Sequence, residues 1–250
     1  MRAIIIGAGR GSRLMPTTEN APKCFAEIQG KRILDWTVEA LKGGGCTEIC
    51  FIGGYRIEAV RREYPEFVFR ENRDWPNNNI LVSLMCAEDL MDRPFVTAYS
   101  DILFTQEVVR GLVQSRDELA LGVDTDWREH YKPRTQHPPH DAEKVITRGG
   151  RVERVYRTIP YEDATGEFIG VAKFGAEGAR KFCEFYHRRQ WQYWAKAYRE
   201  AALFQKAYLI HMFQDMIEHD IPFGHVDTPG KYREIDTQED MNLAQTLWQP

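Results

Sequence analysis

The chain has 250 residues, 43% of them hydrophobic and 28% charged, with a formal net charge of −4. That size buries a sizeable core, either as one large domain or as one domain with an insertion. The charge balance excludes a broad basic face for nucleic acid or an anionic membrane, so any anion site must be local.

No apolar run approaches the roughly 18 residues that span a bilayer. The opening run Ala3–Ile6 breaks at Gly7, too early for a signal-peptide core. A cytoplasmic protein without membrane partners is expected. Cys24, Cys46, Cys50, Cys86 and Cys183 lack Cys-x-x-Cys spacing, which favours reduced thiols and no structural metal.

In chain order, Ala3–Ile6 reads as a buried strand and Ile33–Leu41 as a helix stopped by Gly43-Gly44-Gly45. Glu48–Ile52 is the next strand, Ile57–Glu63 a helix and Glu66–Phe69 a third strand. Leu81–Leu90 has a helical apolar face. Pro94–Ala98 is a fourth strand ending at Tyr99-Ser100-Asp101, Gln106–Gln114 a helix and Leu119–Val123 a fifth strand. Asp124–Asp141 is polar, contains Pro133, Pro138 and Pro139, and reads largely as loop. Val145–Thr147, Val152–Tyr156 and Phe168–Phe174 follow as strands, with Gly149-Gly150 as a turn. Ala176–Arg189, Trp191–Leu209 and His211–His219 read as helices, Phe223–Val226 as a last strand and Gln238–Leu247 as a closing helix. The alternation predicts an α/β fold: a Rossmann-like, mostly parallel mixed sheet flanked by helices. Ligands of such sheets bind beyond the strands' carboxyl ends, where the first glycine loop, Gly54-Tyr55 and Asp101 all fall.

The first strand runs into Gly7-Ala8-Gly9-Arg10-Gly11-Ser12-Arg13, and Lys23 follows ten residues later. Glycines let backbone N–H groups close on a polyphosphate, and Arg13 and Lys23 add fixed positive charge. A dinucleotide fingerprint needs a third glycine where Ser12 stands, and a Walker loop needs a Gly-Lys-Ser/Thr ending that is missing. Asp101, after an apolar strand, suits either a divalent metal or a helix N-cap. Asp236 has the same two readings, because Asp236 or Thr237 can cap the closing helix. His130, His137, His140 and Asp141 lie in the proline-rich loop without recognised zinc spacing.

Gly9-Arg-Gly-Ser-Arg-Leu-Met-Pro-Thr-Thr18, with Pro22-Lys23 after it, resembles the signature of the sugar-phosphate nucleotidyltransferase superfamily. Asn72-Arg-Asp-Trp-Pro-Asn-Asn-Asn-Ile-Leu-Val-Ser-Leu84 and the terminal Ile235-Asp236 resemble phosphocholine and phosphonate cytidylyltransferases. Asp141–Val145 and Gly166–Gly170 resemble cytidylyltransferases of phosphonate or phosphoramidate capsule pathways. Sugar-1-phosphate enzymes usually show Gly-Gly and Gly-Thr-Arg where Ala8 and Ser12 stand here.

The resemblance implies a magnesium-dependent transfer of CMP from CTP to a small phosphorylated or phosphonate acceptor, with a role in capsule or cell-surface biosynthesis. It implies catalytic roles for Lys23 and Arg13 and metal binding by Asp101 and Asp236. Nucleotide binding would fall to Gly7, Ala8, Gly9, Gly11, Ser12, Arg13, Gly54, Asn79 and Ser83. Asn77–Asn79 read equally as a helix-capping turn. Acceptor binding would fall to Arg157, as partner of the acceptor phosphate, and to Glu167, which otherwise is a solvated turn residue. The nucleotide-binding part would comprise residues 1–123 with 220–250, and a smaller α+β acceptor-binding insertion would comprise 124–219. Trp191, Tyr193, Trp194 and Tyr198 suit an aromatic cage for a quaternary amine, a helix core, or the contact of a homodimer. Competing readings are a sugar-1-phosphate transferase using another base, a non-catalytic nucleotide-sensing subunit, and an NAD-dependent oxidoreductase, which Ser12 disfavours.

Overall fold

Apolar runs alternate with amphipathic segments through the first half of the chain. In the structure, a computed structural model that describes all 250 residues, they become a helix-flanked sheet. The strands are β1 (Arg2–Gly7), β2 (Glu27–Ile28), β3 (Lys31–Arg32), β4 (Glu48–Gly53), β5 (Val68–Glu71), β6 (Phe95–Tyr99), β7 (Ile102–Phe104), β8 (Leu119–Asp124), β9 (Lys144–Arg148), β10 (Arg151–Val155), β11 (Gly166–Phe174), β12 (Gly224–Asp227) and β13 (Tyr232–Glu234). The helices are α1 (Ile33–Gly43), α2 (Ile57–Glu63), α3 (Ile80–Met85), α4 (Gln106–Gln114), α5 (Trp127–Tyr131), α6 (Ala176–Tyr193), α7 (Leu209–Ile217) and α8 (Gln238–Leu247).

Nine strands form one mixed sheet in the order β5-β4-β1-β6-β11-β8-β12-β10-β9. The parallel ladder β5-β4-β1-β6 comes from the first half, and β8 and β12 are also parallel. The second half supplies the antiparallel pairings: β11 with β6, β8 and β9, and β10 with β12 and β9. Leu34, Val38 and Leu41 of α1 recur at helical spacing and join α4 in covering one face. Burying each is worth at most about 1.5–3 kcal/mol. Helices α3, α6 and α7 cover the other face.

Three segments differ from their sequence expectations. The helix expected over Leu81–Leu90 ends at Met85, and Glu88–Leu90 is a separate single turn. The expected loop 124–141 contains α5, whose Trp127 is fully buried. The helix expected over Trp191–Leu209 does not form. Helix α6 runs on to Tyr193, and the chain then turns through positive φ at Ala195 and Arg199 before a short turn at Phe204–Lys206. Asp215 explains this path: its carboxylate accepts from Arg189, Tyr198 and Arg199 at 2.5–2.7 Å, anchoring the segment through side chains. No helix is long and apolar enough to cross a membrane.

Candidate active site

The carboxyl ends of β1, β4 and β6 converge as expected. The loop after β1 curls over the sheet edge, and Leu14 N–H donates to the Gly11 carbonyl at 3.1 Å to close it. Gly11 has φ +67°, and a Cβ there would collide with the aliphatic stem of Lys23 at 2.8–2.9 Å. A glycine is therefore what lets the lysine pass beneath the loop.

Lys23 is only 7% exposed, and its ammonium lies between two carboxylates. Nζ is 2.8 Å from Asp101 Oδ2 and 2.6 Å from Asp236 Oδ1. Arg13 Nη2 reaches the other oxygen of Asp236 at 2.5 Å. Burial works against the ammonium, but Asp101 and Asp236 outweigh it and hold its pKa above the ordinary lysine range. Burial likewise works against the Asp236 carboxylate, yet Lys23, then Arg13, hold it below its usual value.

A small ribbon brings the two carboxylates together from opposite ends of the chain. Asp101 immediately precedes β7, and Asp236 closely follows β13. These strands pair antiparallel with Ile102 opposite Glu234, and Ile235 N–H donates to the Asp101 carbonyl at 2.9 Å. Capping of α8 falls to Thr237, whose hydroxyl accepts from Asp240 N–H at 3.2 Å. Asp240 in turn accepts from the N–H groups of Thr237 and Asp236 at 2.8 and 3.1 Å. The Asp236 side chain is thus released from capping to face Lys23.

A cavity of about 510 Å³ opens over this group. Gly7, Ala8, Gly9, Gly11, Ser12, Arg13, Lys23, Asn79, Ser83, Asp101, Arg157, Glu167 and Asp236 all line it. Gly54 does not; it packs behind the loop against the Ala8 carbonyl and Trp75, while Tyr55 N–H donates to Ala8 at 2.9 Å. Asn79 is occupied as the cap of α3: Oδ1 accepts from Ile80 N–H at 2.8 Å and Nδ2 donates to the Lys206 carbonyl at 3.1 Å. Ser83 Oγ accepts from Asn72 at 2.9 Å and donates to the Asn79 carbonyl at 3.2 Å. Both residues shape the wall with their polar groups already engaged.

At the other end of the cavity, Arg157 Nη2 donates to Glu143 Oε1 at 3.3 Å, and Tyr99 donates to Glu143 Oε2 at 3.2 Å. The Arg157 guanidinium lies 4.0 Å from the centre of the Tyr208 ring. Tyr131 donates to Glu167 Oε1 at 2.7 Å. Burial pushes the Glu143 carboxyl up to about 7 against the opposing pull of Arg157. Burial, reinforced by the negative Glu234, pushes Glu167 up to about 8.

The expectations did not single out Trp75, Tyr99, His137, Glu143, Tyr208 and Glu234 as site residues, yet all six line the cavity. Glu234 had a usable signal two positions before Asp236; Tyr208 had none. Of the three loop histidines only His137 reaches the cavity, where Arg134 Nη2 meets its Nδ1 at 2.7 Å. His130 pairs with Asp124 at 2.9 Å, and His140 is exposed beside Asp141. The aromatic cluster lies elsewhere: Trp191 is 89% exposed and Trp194 47%, while Tyr193 packs on buried Tyr198. None of the four lines the cavity.

Two carboxylates already share one cationic atom, so they are close enough to share a metal ion, and their all-oxygen donor set suits magnesium. A glycine loop, a buried lysine and a carboxylate pair at the carboxyl edge of a mixed sheet define a nucleotidyltransferase. The profile of the MobA-like NTP transferase domain matches residues 3–158, and the chain belongs to that family. It is 31% identical to the CTP:phosphoglutamine cytidylyltransferase of Campylobacter jejuni over 97% of this chain and 98% of that one. It is 30% identical to the choline-phosphate cytidylyltransferase of Streptococcus pneumoniae over 46% of this chain and 51% of that one. The fold matches the inositol-1-phosphate CTP transferase of T. maritima with a TM-score of 0.75 at 20% identity, covering 98% of this chain and 95% of the other.

Proposed function

We propose that the protein transfers CMP from CTP to a small phosphorylated or phosphonate acceptor, of phosphocholine, aminoethylphosphonate or phosphoglutamine type, with release of pyrophosphate. The observation that carries this reading is the ammonium of Lys23 buried between Asp101 and Asp236 beneath a glycine loop. The full-length similarity to a cytidylyltransferase supports the choice of CTP.

An acceptor phosphate or phosphonate oxygen attacks the α-phosphorus, and the bond to the leaving pyrophosphate breaks. The attacking oxygen is already ionised at neutral pH, so no general base is required, and catalysis reduces to positioning and charge stabilisation. Lys23 neutralises charge where the acceptor meets the α-phosphate. Arg13 and the N–H groups of residues 7–12 hold the leaving pyrophosphate. Asp101 and Asp236 would hold magnesium, which when bound supplies charge neutralisation at the triphosphate oxygens. The product would be an activated head group for capsule or cell-surface assembly, made in the cytoplasm.

The test is pyrophosphate release from each of the four nucleoside triphosphates with magnesium and each acceptor type. Release with CTP above the other nucleotides is expected. No release with any pair refutes transfer, and preference for another nucleotide with a sugar-1-phosphate refutes the cytidylyl reading.

A further inference from the structure

Asp236 faces Lys23 because Asp240 holds its backbone, and the residue that holds Asp240 comes from a distant part of the chain. The Asp240 side chain is 2% exposed. Its Oδ2 is spent on the N–H groups of Asp236 and Thr237 and on the Thr237 hydroxyl, at 2.8–3.1 Å. Its Oδ1 accepts from Nε of Arg134 at 2.7 Å, 106 residues away in sequence. The Arg134 side chain is 6% exposed. Its Nη2 donates to Glu234 Oε2 at 3.3 Å and meets His137 Nδ1 at 2.7 Å, and the guanidinium lies 4.7 Å from the centre of the Tyr131 ring. The next two residues repeat the grip. The N–H groups of Thr135 and Gln136 and the Thr135 hydroxyl donate to Glu239 at 2.6–2.8 Å. Residues 134–136 therefore clamp the first turn of α8 at two adjacent carboxylates. Arg134 does not line the cavity, so it acts on the chemistry only through what it holds.

We propose that Arg134 is the positioning residue for Asp236: it fixes the Asp240 carboxylate, and Asp240 keeps the Asp236 side chain at the metal-binding position beside Lys23. This rests on the transferase reading above and on the metal role which that reading gives Asp236.

The physical case is a competition between caps. Asp236 and Thr237 both stand where a residue can cap α8. Thr237 takes the role because Asp240 completes a reciprocal pair with it, each accepting from the other's N–H. A carboxylate this enclosed keeps its charge only while it is paired. Burial works against the ionised form of Asp240, but His137 and Arg134 hold its carboxyl below the usual carboxylate range. Without the guanidinium the reciprocal pair loosens, and Asp236 can turn to the unsatisfied N–H groups at the start of α8. A carboxylate that turns away from Lys23 is lost to a metal. A lysine is no substitute, because the planar fork engages Asp240, Glu234 and His137 together, whereas an ammonium is a single point. A segment exchanged here has to bring this arginine with it.

The test measures calorimetrically how manganese binds the full chain in the presence of a non-reacting CTP analogue. It adds kcat, acceptor KM with whichever acceptor releases most pyrophosphate, and melting temperature. Arg134→Gln should weaken manganese binding and lower kcat, each by about 10- to 100-fold, while acceptor KM holds. Glu239→Ala removes only the exposed arm of the clamp; it should fold normally and shift manganese affinity in the same direction by less. A lower melting temperature with manganese affinity unchanged marks a purely structural role and overturns the assignment. Where Arg134→Gln does not fold, unchanged affinity in Glu239→Ala overturns it. Either result, with wild type binding manganese and releasing pyrophosphate, breaks this inference alone. Wild type that binds no manganese removes the metal role of Asp236 and this inference with it, and absence of pyrophosphate release breaks the transferase reading as well.

Discussion

The two ends of the cavity are built in opposite ways. At the nucleotide end every charge has a partner: Lys23 lies between Asp101 and Asp236, and Arg13 closes on the far side of Asp236. At the other end Glu143 and Glu167 are buried and raised toward neutral pH, and Oε2 of Glu167 has no hydrogen-bond partner. A closed network holds its geometry before any ligand arrives, as suits groups that must meet a transition state. An incomplete one is finished by the ligand, as suits groups that must choose among ligands.

Breaking the closed network should have the largest effect. Lys23→Ala is expected to lower kcat by about 10³-fold, with melting temperature and CTP binding checking that the fold survives. A rate near wild type would remove Lys23 from the chemistry. Asp101→Asn should cost about 10²-fold in turnover. It should also weaken manganese binding measured calorimetrically with a non-reacting CTP analogue, and unchanged metal affinity would clear Asp101 of that role.

A subtler difference lies in pH. Burial pushes the Glu167 carboxyl up to about 8 from an ordinary 4.5, so the folded state retains a proton that the unfolded chain gives up. Its contribution to stability is complete below the unfolded value and is lost as pH rises through the folded one. The melting temperature of Glu167→Gln should therefore fall less than that of wild type between pH ~5 and pH ~9. Parallel curves would show that Glu167 is ionised throughout.

The smallest effect is expected from Trp191→Ala. The indole is 89% exposed and away from the cavity, so stability should move by no more than about 0.5 kcal/mol and acceptor KM not at all. A rise in acceptor KM would restore the cage reading and undo the contrast between the two ends.

The same contrast governs what could be read from sequence. The nucleotide end follows strand carboxyl ends in a parallel ladder, so Gly7–Arg13 and Asp101 declare their location locally. Asp236 required pairing of β7 with β13, a long-range contact for which the similar family pattern, rather than periodicity, gave the cue. Glu143, Tyr208 and Tyr99 meet only because antiparallel strands and a non-helical segment bring them together, and no local pattern encodes that. The stretch after Tyr193 looked helical because its apolar residues are dense; the Asp215 network is invisible until α7 lies beside α6.

One strand serves both ends. The register of β11 slips between Phe168 and Ala172, where Gly170 has φ +76° and a Cβ would meet the Tyr99 ring at 2.5 Å. Before the slip, Gly166 and Glu167 pair with β9, and Glu167 lines the cavity; after it, Val171–Phe174 pair with β6. That glycine is a natural joint for recombination. A chimaera taking residues 124–169 from a relative with another acceptor should inherit the donor's choice of acceptor while binding CTP as before. Selectivity in this architecture would then be a cassette, exchangeable at two junctions, one of them this glycine, without rebuilding the transfer machinery.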